Sequence, residues 1–365
     1  MKLKFSVYFI FLALTCYAQD AQENKRYTLD ASQFYGTILR HNPDITHLID
    51  SHPGGVILSL NRKTYGEEYW QQRYNYPDLG YSFIYQDYNN ETLGKSYAAY
   101  AHYNFYFLNR YLQLRIGQGL AYMTNPYDKE TNFRNNAFGS QILSSTYLML
   151  NFHKENIVKG VGFKAGISVM HYSNANVKAP NTSTNTFALN AGITYDLDGG
   201  LENNYLTHEK QRIVEPVKLN LAFRTGINES DVINSGQYPF YIFSGYADKR
   251  VSDLSAIQVG GDVYFSKFLK ELIKYQSIAF PENNVNADDD YKRVGVFIGH
   301  ELFINKMSVI SQLGYYVYYP YDFEGRMYNR MGLKRYFGDN IYGVLSLKSH
   351  GAKAEAVEFG IGIRL

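Results

Sequence analysis

The feature that most constrains this chain is an alternation of apolar and polar residues with period two, recurring in short segments as far as the last residue. The final segment places Val357, Phe359, Ile361, Ile363 and Leu365 on one parity and Glu358, Gly360, Gly362 and Arg364 on the other. Tyr97, Ala99, Ala101, Tyr103, Phe105 and Phe107 alternate in the same way with residues that include His102 and Asn104. A strand sends successive side chains to opposite faces, so each segment is a strand with one apolar face. Beyond the amino-terminal leader no segment approaches the roughly 20 uninterrupted apolar residues of a membrane helix.

Composition decides what the apolar faces meet. The 365 residues include 36 Tyr, 23 Phe and 30 Gly but only 9 Pro, with a formal net charge of +2. Mean hydropathy is -0.34. Tyrosine and glycine concentrated in short alternating segments describe a transmembrane β-barrel, with aromatic girdles and a polar lumen. The expected fold is therefore all-β, an antiparallel up-and-down barrel of about 12 to 16 strands with a short helical element in an outer loop near Lys267–Tyr275. Near-neutral charge argues against nucleic acid as a partner.

Lys2 and Lys4 precede an apolar run from Phe5 to Leu14 and a small residue at Ala18, the pattern of a signal peptide over residues 1–18. Export to the outer membrane of a Gram-negative type of cell follows, with residues 19–365 as a single barrel domain. Cys16 is the sole cysteine, so the mature chain has no disulfide or thiolate chemistry; a lipid anchor on Cys16 is disfavoured by Thr15 before it.

Tight turns at Asn109-Arg110 and Asn305-Lys306 read as periplasmic, and the long polar connections at 88–95, 124–136, 172–184, 227–237, 268–290 and 319–327 as extracellular. The connection at 198–213 breaks the rule, a long polar segment on the side of the short turns. His41, His47 and His52 match no ligand spacing, which favours a loop with a helical turn over a metal site. No metal or cofactor is expected.

The stretch that carries chemistry follows the strand Val161–Val169. Its parity continues to His171 and Ser173 on the apolar face, and the parity of the next strand, extended back from Phe187, places Asn185 there too. If the two strands pair, a hydroxyl, an imidazole and a group that orients the imidazole converge at the extracellular rim, the parts of a nucleophilic acyl-transfer site. Polar side chains on a lipid face are costly, which marks them as functional.

His171-Tyr-Ser-Asn-Ala followed by Pro180-Asn181 resembles the active-site signature of the PagL-type lipid A 3-O-deacylases, outer-membrane barrel esterases. The resemblance is specific over residues 171–181 and fair over about 140–200. It implies Ser173 as nucleophile, His171 as general base, and Asn174 and Asn181 as oxyanion-pocket or loop-shaping residues. It also implies lipid A of the outer leaflet as substrate and leaves open a homodimer. Known family members are small eight-stranded barrels with Glu where this chain has Asn185. An amide carbonyl can fix the imidazole tautomer but cannot balance the imidazolium, and the corresponding Asp-to-Asn change in a serine protease costs about 10⁴ in rate. Glu301, beside His300, is a weak stand-in, since its parity points to the lumen. The alternative is an inactive relative or a porin-like barrel, its lumen wetted by Lys164, Lys218, Arg224, Asp262 and Arg364.

Overall fold

The computed structural model describes residues 26–201, 203–210, 213–351 and 353–365; the leader expected at 1–18 lies outside them. Eight strands build a first barrel: β1 (Tyr27–Ile38), β2 (Gly54–Arg62), β3 (Asp78–Asp87), β4 (Lys95–Phe107), β5 (Leu112–Met123), β6 (Ile142–Val158), β7 (Val161–Ser173) and β8 (Thr184–Asp196). Eight more build a second: β9 (Lys218–Asn228), β10 (Tyr238–Arg250), β11 (Ser255–Ser266), β12 (Lys292–Ile304), β13 (Met307–Tyr318), β14 (Met327–Phe337), β15 (Ile341–His350) and β16 (Lys353–Arg364). Helix α1 (Tyr69–Arg73) lies between β2 and β3, and α2 (Lys267–Ala279) follows β11.

Two closed barrels of eight strands replace the expected single barrel of about 12 to 16. The finding that overturns it is β8, which pairs with β1 from Thr28 opposite Asp196 to Ile38 opposite Thr186, leaving no free edge for β9. β9 turns to β16 instead, with Phe359 opposite Thr225 through Arg364 opposite Asn220. The long connection that broke the short-turn rule is the linker between the barrels.

An eight-stranded barrel is just wide enough for its own side chains, so its lumen is a packed core. In the first barrel Lys164 Nζ lies 2.6 Å and Arg115 Nη2 2.7 Å from the two oxygens of Asp30. In the second, Arg330 reaches Asp262 at 2.9 Å and Glu358 at 2.6 Å, and Arg364 reaches Asp248 at 2.7 Å. Buried charges persist only when paired, so these residues seal a core rather than wet a channel. Lys218 is half-buried at the start of β9.

The half of the first lumen nearest the β7–β8 connection is apolar. Phe34, Ile57, Ile84, Tyr88, Met170 and Tyr172 meet Ile45 and Leu48 of the 3-10 helix Pro43–Leu48, together with Leu93 and Phe138 from the loops above. The three-histidine stretch is thus the predicted helical turn, capped by Asn42 Oδ1 accepting from Asp44 N at 2.9 Å, and it plugs the barrel mouth. Outside, the opposite parity exposes Leu29, Leu58, Phe83, Leu189, Ile193, Leu221, Val296, Ile298, Phe359 and Ile361.

The barrels touch through their connections. At the end that carries α1, Arg73 Nε lies 2.5 Å from Asp253 Oδ2, Tyr69 donates to the same oxygen at 3.0 Å, and Tyr74 donates to the Phe303 carbonyl at 2.7 Å. The contact at the opposite end involves the candidate site.

Candidate active site

The site stands on β7 and β8. Met170 and Tyr172, alternating with His171, are fully buried in the lumen, Tyr172 with its ring 6.3 Å from Tyr88. This anchoring turns His171 and Ser173 to the outer face. On β8 the buried Thr184 and Thr186 do the same for Asn185.

His171 lies directly opposite Asn185 in the antiparallel register. Its Nδ1 is 2.7 Å from Asn185 Oδ1. An amide oxygen only accepts, so the network assigns the proton to Nδ1 and leaves the lone pair on Nε2. The backbone carbonyl of Asn185 accepts from Leu39 N at 2.7 Å, which fixes this end of β8 to the segment after β1.

Ser173 shares the outer parity but is only 6% exposed, because residues 174–181 fold over it. Ala175 and Asn176, at φ 52° and 60°, reverse the chain in the left-handed region. Ser173 Oγ accepts from Ala175 N at 2.9 Å and from Asn181 Nδ2 at 3.0 Å, and lies 3.2 Å from Asn181 Oδ1, to which it donates. Asn181 Oδ1 also accepts from Asn174 N at 2.9 Å. Asn174 Nδ2 donates to the Lys178 carbonyl at 2.7 Å and to Ser140 Oγ at 3.2 Å, so that amide is committed to the loop. The loop lies so close to the β5–β6 connection that a Cβ on Gly139 would fall 2.5 Å from the Lys178 carbonyl oxygen.

The strands therefore bring together His171 and Asn185, and the loop brings together Ser173, Asn174 and Asn181. No hydrogen bond joins His171 to Ser173 among the described residues; a turn of the Ser173 side chain away from Asn181 is needed to present its hydroxyl to Nε2. Such bonds commonly form only when substrate is bound.

Glu301 does not supply a carboxylate here. It is buried in the second lumen, 3.1 Å from Lys334 Nζ and accepting from Gln258 and Ser308, while His300 meets Ser255 Oγ at 3.0 Å. A different carboxylate reaches the loop, that of Glu229 from the β9–β10 connection. It accepts from Ala179 N at 2.9 Å, and sequence reasoning missed it because nothing local marks a residue fifty positions away.

The model of the family described as lipid A 3-O-deacylase (PagL) matches residues 54–194, and that described as acyloxyacyl hydrolase, C-terminal domain, matches residues 217–365. The two matches divide the chain where the barrels divide. No curated protein matches it. Among solved structures, Neisserial surface protein A is similar at 13% identity, covering 46% of this chain and 96% of that one with a TM-score of 0.29. A mutant Rh. blastica porin is similar at 9% identity, covering 93% and 99% with a TM-score of 0.18.

Proposed function

We propose that this chain, which belongs to the lipid A 3-O-deacylase (PagL) family through its first barrel and carries an acyloxyacyl hydrolase C-terminal domain as its second, hydrolyses an ester-linked acyl chain of lipid A by serine catalysis in the outer membrane. Family membership implies lipid A deacylation. The apolar outer faces of both barrels suit a bilayer, and the outer face at the extracellular end of β7, where residues 174–181 cover Ser173, would adjoin molecules of the outer leaflet.

The observation that carries the catalytic reading is the 2.7 Å contact between His171 Nδ1 and Asn185 Oδ1, on the same face as Ser173. Asn185 holds the tautomer in which Nε2 is a base. Ser173 Oγ attacks the ester carbonyl carbon while its proton passes to Nε2. The tetrahedral adduct collapses, and the sugar oxygen leaves with the proton from His171. A water then gives its proton to Nε2 and attacks the acyl-serine, and the second adduct collapses to the fatty acid as Ser173 Oγ leaves with that proton from His171. Once Oγ turns toward Nε2, the backbone N–H of Ala175 and the side-chain N–H of Asn181 that it leaves are donors for the carbonyl oxygen on which charge develops, while Asn174 shapes the loop.

Asn185 leaves the imidazolium unbalanced, so the rate should be modest beside that of an enzyme with a carboxylate in this place. The test is release of fatty acid from purified lipopolysaccharide by the refolded protein. Ser173→Ala and His171→Ala should each abolish release while the barrel stays heat-modifiable on gels. Equal release by Ser173→Ala would eliminate serine catalysis. The packed lumens disfavour the porin-like alternative.

A further inference from the structure

The loop that covers Ser173 is held from outside its own barrel. Glu229, 5% exposed, follows β9 in the second barrel, and its carboxylate accepts from Ala179 N at 2.9 Å and from Gly236 N at 3.0 Å. Its own N–H donates to the Asn176 carbonyl at 2.8 Å. Gln237 Nε2 donates to the Val177 carbonyl at 2.7 Å, and Asn176 Nδ2 donates to the Ala354 carbonyl of β16 at 2.7 Å.

Three backbone groups of the loop, at Asn176, Val177 and Ala179, and one side chain thus find their hydrogen-bond partners on the second barrel. Buried backbone groups need partners, so the loop conformation is complete only when the barrels are docked. The chain of contacts continues inward. Asn176 Oδ1 accepts from Asn181 Nδ2 at 3.1 Å, and that same amide donates to Ser173 Oγ at 3.0 Å.

We infer that the second barrel is a clamp for the nucleophile's loop, with Glu229 as the positioning residue that transmits its hold through residues 176–181 to Ser173. This rests on the reading of Ser173 as nucleophile. It gives the second barrel a part in the first barrel's reaction, and makes the β9–β10 connection and the start of β16 an interface that the site requires. The carboxylate acts through hydrogen bonds to the two backbone amides, not as the missing charge partner of His171, because what it contacts is Ala179 and Gly236.

The test uses the full-length protein and three variants, Glu229→Ala, Glu229→Gln and Gln237→Ala, with two readouts. Amide hydrogen exchange reports the loop directly. In Glu229→Ala, residues 174–181 should exchange at least tenfold faster while the strands of both barrels keep their protection. Deacylation kinetics and the rate of Ser173 labelling by a fluorophosphonate report the nucleophile. Glu229→Ala should lower kcat and labelling about tenfold with KM unchanged. Glu229→Gln, whose amide oxygen can still accept from Ala179 N, should recover most of both, and Gln237→Ala should fall between them. Unchanged exchange in Glu229→Ala overturns the clamp, as does faster exchange with undiminished kcat and labelling. A wild-type protein that neither deacylates nor labels would instead defeat the reading of Ser173 on which the clamp rests, an outcome distinct from an active wild type matched by Glu229→Ala.

Discussion

At the scale of single residues the chemistry turns on Asn185. Its oxygen is placed to hold His171 Nδ1 but carries no charge to offset the imidazolium that the proposed attack by Ser173 would form. Asn185→Glu is expected to speed deacylation, since balancing that charge by about 1.4 kcal/mol in the transition state is a tenfold gain. Asn185→Ala should slow it by about 10²-fold as the tautomer is freed. Steady-state kinetics on purified lipopolysaccharide measures both, and equal rates for all three proteins would place the orienting group elsewhere. Much of this site was legible beforehand, because strand parity alone puts His171, Ser173 and Asn185 on one face. What parity could not show is the hydrogen-bonding of the loop, where Asn181 rather than His171 holds the Ser173 hydroxyl. Loop geometry depends on contacts with Gly139 and Glu229 that no periodicity records.

At the scale of elements, strand positions were readable and their closure was not. The alternating segments Tyr97–Phe107, Val161–Val169 and Val357–Leu365 fall on β4, β7 and the end of β16, because alternation reports which face is apolar. It does not report which edge a strand pairs with, and β8 has the same outward pattern whether its neighbour is β1 or β9. The one local clue was a long polar connection where a short turn belonged. The narrow barrels that result bury their charges, and removing one partner should be severe. Asp30→Ala leaves Arg115 and Lys164 unpaired in the first lumen, and should destabilise that barrel by about 3–5 kcal/mol in urea unfolding from detergent micelles. A loss within about 0.5 kcal/mol, the size of an ordinary surface change, would mean the lumen is wet.

At the scale of the whole molecule two closed barrels are joined by a linker and by contacts at both barrel ends. A protease site placed within residues 203–210 and cut after refolding should leave two fragments that are each heat-modifiable, whereas a single barrel would lose that property once boiled apart and returned to detergent. The contact between α1 and Asp253 carries its own pH dependence. Burial pushes the Asp253 carboxyl up, but the hydrogen bonds from Arg73 and Tyr69 outweigh it and hold it below the usual carboxylate range. A group depressed on docking stabilises the docked state above its free pKa and loses that contribution as pH falls through the docked value. Protease cleavage in the α1 segment should therefore be slow near neutrality and faster in acid, and Asp253→Asn should abolish the difference.

The most direct measurement is the mass spectrum of lipid A from cells that express the wild-type protein, Ser173→Ala or neither. The expected result is a lipid A species lighter by one ester-linked acyl chain in the wild-type cells alone. Identical spectra from all three, with the wild-type barrel folded in the outer membrane, would contradict serine deacylation by this site.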